Sequence, residues 1–132
     1  MNTDYNFSGW IIKYGKNSIN GLIYKQDSLL SNDGKIVPLL WNHQHQHSNC
    51  VFGRAYIEHR EEGVYVYCTL FDTPYSKFVE EMVRDGNAVY LSMYITRVKY
   101  SEKFITQGCI QEISLTPMRI DPDGDYRPMW KD

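Results

Sequence analysis

Three of the four histidines in this 132-residue chain, His43, His45 and His47, fall within five residues at every second position. In an extended segment that spacing sets three imidazoles on one face, a donor set that could hold zinc with water in the open position. The run NHQHQHS is otherwise Asn, Gln and Ser, the composition of a solvated loop, and no acidic or cysteine ligand follows at a familiar spacing. His43 stands apart from the other two. It closes the apolar run Ile36–Trp41, with Asn42 between. An imidazole at a strand end beside an apolar wall suits general-base work, because partial burial and a hydrogen-bonded partner fix its tautomer. A structural histidine satisfied by a carbonyl would give the same local pattern.

Two further residues could serve such a base. Ser92 lies in mid-strand between Tyr90 and Tyr94, on the face opposite Leu91 and Met93. As a nucleophile it needs a base within reach and donors for an oxyanion; otherwise it is a small polar filler. No Gly-x-Ser-x-Gly elbow is present, which argues against an α/β-hydrolase. Glu112, in QEISL, falls by alternation on the face of Ile110 and Ser114. An inward carboxylate is costly unless paired. It could orient an imidazole as the acid of a triad does, or it could be an ordinary strand charge paired with a lysine or arginine.

The elements that must position these groups are mostly strands. Asp4 to Tyr14 reads as a first strand and Ser18 to Tyr24 as a short second one. Asn32-Asp33-Gly34 is a turn signal before the strand that leads to His43. Pro38 within that strand predicts an edge position or a bulge. Cys50 to His59 and Gly63 to Phe71 form a hairpin, with Gly63 free to take positive φ. At Thr73-Pro74 the period changes from two to 3.6. Tyr75, Phe78, Val79, Met82 and Val83 make one stripe of a helix over about residues 74–85, with Gly86 as its cap. Ala88 to Tyr100 and Phe104 to Leu115 are long strands, and the Pro-, Asp- and Gly-rich tail reads as irregular. The expected fold is one mainly β domain over residues 1–132, a β-barrel with a single α-helix packed outside.

Composition narrows the function classes. The 42% hydrophobic content suits a globular domain with one core, and eleven tyrosines tilt it towards β structure. A net charge of −2 gives no basic footprint for nucleic acid. No apolar run reaches the ~20 residues that span a bilayer, so no membrane partner is expected. The start, MNTDYNFSGW, has no signal-peptide pattern. The odd, widely spaced Cys50, Cys68 and Cys109 read as reduced buried thiols of a cytosolic protein. No cofactor is implied.

Taken in order, FSGW, VPLLWNH, FGRA, the helix ending RDG, YLSMYI and QEISLTP resemble the prohead proteases of tailed bacteriophages. The His43-to-Ser92 spacing (92 − 43 = 49) also suits that family, which looks related to the herpesvirus assemblin fold, a β-barrel surrounded by helices. The resemblance implies a serine endopeptidase that matures procapsids. Ser92 would be its nucleophile, His43 its base and Glu112 its third member, with Arg97 as an oxyanion contributor. Capsid protein and scaffold segments would be its substrates, a homodimer is a possible assembly, and the host bacterial cytoplasm, within or on the procapsid, its location. Relatives usually carry glycine where this chain has Tyr94, and an acidic residue where it has Gln44. Two alternatives stand beside this reading. One is an inactive capsid-assembly or binding module on the same fold. The other is a small metal-binding domain built on His43, His45 and His47.

Overall fold

A computed structural model describes residues 4–17, 21–43, 51–86, 89–117 and 126–132. The elements are β1 (Phe7–Lys13), β2 (Ile23–Tyr24), β3 (Ile36–Trp41), β4 (Val51–Arg60), β5 (Gly63–Leu70), α1 (Pro74–Asp85), β6 (Tyr90–Ser101), β7 (Phe104–Thr116) and β8 (Met129–Trp130). A single 3-10 turn, Leu30–Asn32, precedes β3. No helix among the described residues is long and apolar enough to cross a membrane.

The strands form one sheet in the order β2-β7-β3-β4-β5-β1-β8, with β6 on the other side of β7. The sheet is mainly antiparallel, but β3 and β2 both run parallel to β7. The expected closed barrel does not form: the sheet is open. Strand β6 pairs with β7, and at its other edge the Leu91 N–H donates to the Tyr126 carbonyl at 2.8 Å. The opposite margin, β1, takes β8 at Phe7 and Ser8. Residues 126–130 thus lie along the seam that would have to close. Pro128, which has no N–H, cannot continue a ladder there. Residues 126–130 are correspondingly less irregular than the composition of the tail predicts, and residues 118–125 lie outside the described residues. Tyr126 is 1% exposed, and its hydroxyl accepts the backbone N–H of Lys13 at 3.0 Å.

The core is built from alternate strand residues, among them Phe7, Ile11, Leu39, Ile57, Val66, Leu91, Ile113 and Leu115. Helix α1 covers it with Val79 and Val83. The helix has the predicted boundaries. Thr73 is extended and its backbone N–H donates to Ser76 Oγ at 3.3 Å, Pro74 starts the first turn, and Gly86 ends the helix in the left-handed region at φ 66°. Gly63, by contrast, does not take positive φ. It is glycine because a Cβ there would lie 2.1 Å from the Ile12 carbonyl oxygen of the neighbouring strand. Pro38 sits just before Leu39, where β3 begins to pair with β7, and the β3–β4 register shifts between Leu39 and Leu40. Cys68 is buried and Cys109 half-buried, both as free thiols; Cys50 lies outside the described residues. Burial pushes the Cys68 thiol up, so it packs as a small hydrophobe.

Candidate active site

The site is assembled on the end of β7. Register places Ser92 of β6 directly across from Ser114 of β7, and Leu40 of β3 across from the same Ser114 on the other side. One row therefore crosses three adjacent strands. Leu91, Ile113 and Leu115 point into the core and are fully buried. Ser92, Ser114, Tyr94 and Glu112 accordingly share the opposite face.

A bulge keeps that face in register. Tyr94 pairs with Glu112, but Ile95 pairs with Ile110, so Gln111 is the extra residue on β7. Ile110 is thereby returned to the core with Ile113, and it does not share the face of Glu112 and Ser114 as simple alternation predicts. Buried Asn32 holds β7 beside this irregularity. Its side-chain amide donates to the Gly108 carbonyl at 2.9 Å, and its oxygen accepts the Ile110 N–H at 2.8 Å. The Lys35 ammonium donates to the Ile110 carbonyl at 2.6 Å.

His43 reaches the row by a sharp change of direction after β3. The Asn42 N–H donates to the Leu115 carbonyl at 2.8 Å, one step beyond the last β3 pair. The Asn42 side-chain oxygen accepts from Thr116 Oγ1 at 3.1 Å. Asn42 and His43 then take left-handed conformations in succession, at φ 48° and 56°. Non-glycine residues rarely adopt this region; the cost is of order 1–3 kcal/mol each, and such residues concentrate at functional sites.

That turn lays the imidazole over β7 with both nitrogens engaged. Nε2 lies 2.8 Å from Ser92 Oγ. Nδ1 lies 3.2 Å from Ser114 Oγ, and the same hydroxyl accepts the His43 backbone N–H at 2.8 Å. With its proton on Nδ1, the imidazole donates to Ser114 and offers the Nε2 lone pair to the Ser92 hydroxyl. This is the arrangement in which a serine can be deprotonated as it attacks. Ser92 is only 6% exposed, and Ser114 is fully buried. The Tyr94 ring stands 6.4 Å from the His43 ring and is 41% exposed, so it walls the open side.

The fold brings together His43 and Ser92, two residues whose local sequence contexts leave a structural histidine and a filler serine equally open. Ser114, which alternation puts on the Glu112 face, lies at Nδ1 in the orienting position. A hydroxyl fixes the ring without neutralising a developing imidazolium. Glu112 sits one cross-strand pair further along the same face, opposite Tyr94. Arg97 is not placed beside Ser92. It is exposed, takes φ 52°, and lies within a further bulge, this one on β6, about 15 Å along the strand. His45 and His47 lie outside the described residues.

Comparison of the chain with protein-family models, curated proteins and solved structures returns no match.

Proposed function

We propose that this protein is a serine-type endopeptidase of the prohead-protease kind. Ser92 attacks the scissile carbonyl, and His43 takes its proton and returns it to the leaving amine. Ser114 holds the base in the productive tautomer, and Glu112 contributes negative potential from the same face. The observation that carries this reading is the 2.8 Å contact between His43 Nε2 and Ser92 Oγ, made across an intervening strand by residues 49 positions apart. A chance polar contact would not need two consecutive left-handed residues to make it.

In this reading the substrates are phage capsid protein and scaffold segments, cleaved on an assembling procapsid in the host cytoplasm. The proposal is tested by co-expressing the capsid precursor with the wild-type chain or with Ser92→Ala, and by treating both proteins with a fluorophosphonate probe. The wild type is expected to trim the precursor and become labelled at Ser92, and the variant to do neither. Equal trimming by the two proteins rules the mechanism out.

A further inference from the structure

Beside the Gln111 bulge, the fold brings together two nucleophiles that the chemistry above does not use. Lys35 Nζ lies 3.3 Å from Cys109 Sγ, although 74 positions separate them in the chain. The ammonium is held there. It also donates to the Ile110 carbonyl at 2.6 Å and to Asn32 Oδ1 at 3.3 Å, so its three protons meet three acceptors. The main chain of Lys35 is pinned as well. Its N–H donates to the Asn32 carbonyl at 3.1 Å, and its carbonyl accepts the Ile57 N–H at 2.9 Å. A long, flexible side chain therefore reaches the sulfur already fixed by the 3-10 turn, β4 and β7.

The sulfur is placed to react. Cys109 Sγ also accepts from Gln111 Nε2 at 3.3 Å, and the same amide donates to Thr96 Oγ1 at 3.0 Å. Two N–H donors, one of them cationic, thus face one sulfur. Partly exposed thiols in electropositive surroundings are the reactive ones, whereas thiols sealed in apolar surroundings are inert. Cys109 is half-buried, and Cys68 is fully buried, which pushes its thiol up. The two described cysteines are therefore in opposite situations. A peroxide that reaches Cys109 converts it to a sulfenic acid, and a sulfenic acid condenses with an adjacent nitrogen or thiol. At Cys109 the nitrogen is already in contact.

We infer that Lys35 and Cys109 form a reversible oxidative cross-link, a sulfur–nitrogen bond made when hydrogen peroxide oxidises the thiol. In the first step the Cys109 sulfur gives an electron pair to peroxide. An S–O bond forms, the O–O bond breaks, and hydroxide leaves with the thiol proton as water. In the second step the Lys35 amine attacks that sulfur, and the S–O bond breaks. The ammonium loses two protons, one to the departing hydroxide, giving a second water, and one to solvent. Sulfur is oxidised by two electrons, and one peroxide is reduced to two waters. A dithiol reverses the change by reducing the sulfur back to the thiol and releasing the amine. The link joins the chain just before β3 to β7, beside the bulge that sets the phase of Ser114. It does not depend on the hydrolase reading of Ser92.

The test treats the folded protein with hydrogen peroxide, digests it without reductant, and maps the linked peptides by mass spectrometry. The expected product is a peptide pair joined through Lys35 and Cys109, with the summed mass less two hydrogens, and separated by dithiothreitol. The linked form is expected to melt several degrees above the reduced form, because the bond closes a long loop of the unfolded chain. Neither the linked pair nor the shift is expected in Lys35→Arg, which keeps the charge but offers no amine, or in Cys109→Ser. Cys109 recovered from the oxidised wild type only as free thiol, as sulfinic acid or in a disulfide overturns the inference. A link from Cys109 to any other lysine overturns it too. The wild-type map decides the matter even where a variant is unstable.

Discussion

Ser114 Oγ accepts the backbone N–H of His43 at 2.8 Å and lies 3.2 Å from Nδ1 of the same residue. One hydroxyl thus fixes both the main chain and the ring of the base. Ser114→Ala removes two hydrogen bonds of ~1 kcal/mol each. The expected result is a fall in kcat of about 30-fold with KM nearly constant, since Ser114 acts on the base and not on the substrate. Steady-state kinetics on a fixed peptide separates the two.

In the proposed mechanism Ser92 and His43 form one unit, so their losses should not add. Each alanine variant is expected to lower turnover by about 10³- to 10⁶-fold, and the double variant should be no worse than the poorer single. Single-turnover cleavage assays at high enzyme concentration measure this. Losses that multiply would mean that the two residues act separately.

Asn32 is 1% exposed and ties the 3-10 turn to β7 beside the Gln111 bulge. Asn32→Ala leaves the Ile110 N–H and the Gly108 carbonyl without that partner. It should cost about 2–4 kcal/mol in urea unfolding. Because the bulge sets the phase of Ser114, the activity remaining in the folded fraction should fall as well.

Two glycines should respond unequally to alanine. At Gly86 the left-handed conformation makes the added methyl cost about 1–2 kcal/mol. At Gly63 the methyl would overlap the Ile12 carbonyl, and β1 would have to separate from β5. Gly63→Ala should therefore lower Tm more than Gly86→Ala does, as calorimetry would show.

Tyr24 gives a prediction at high pH. Burial pushes its hydroxyl up to about 12 from the ordinary 10, with Tyr100 a smaller cause. The folded form therefore disfavours the phenolate. Its contribution to stability is intact below pH 10 and is lost as pH rises from 10 through 12. Denaturant midpoints over that window should fall less steeply for Tyr24→Phe than for the wild type.

The parts legible in the sequence are those encoded locally. Thr73-Pro74, the 3.6-residue stripe and Gly86 specify α1 without help from the rest of the chain. The β4–β5 hairpin follows from alternation and a short polar turn. Ser92 could be assigned to the outward face because Leu91 and Met93 so clearly claim the other. What stayed hidden depends on register between distant strands. Opposition of Ser92 and Ser114 follows from the β6–β7 pairing, and a one-residue bulge at Gln111 shifts which neighbours share a face. Ser114, which meets the ring two residues beyond Glu112, carries no local signal that distinguishes its hydroxyl from a strand filler. The seam was missed because Tyr126 sits in a segment whose Pro, Asp and Gly content reads as loop.

Lys13 at the end of β1 finds the Tyr126 hydroxyl 113 residues later in the chain. As the polypeptide leaves the ribosome, β1 can pair with β5 early, but its outer edge and part of its core contact wait for residues 126–130. The Ser92–His43 pair adjoins the same late contact, since the Leu91 N–H beside Ser92 is held by the Tyr126 carbonyl. Such distant contacts make for slow folding. In the proposed reading they also delay the hydrolase until residues 126–130 have emerged, a timing that would spare a nascent protease from cutting itself.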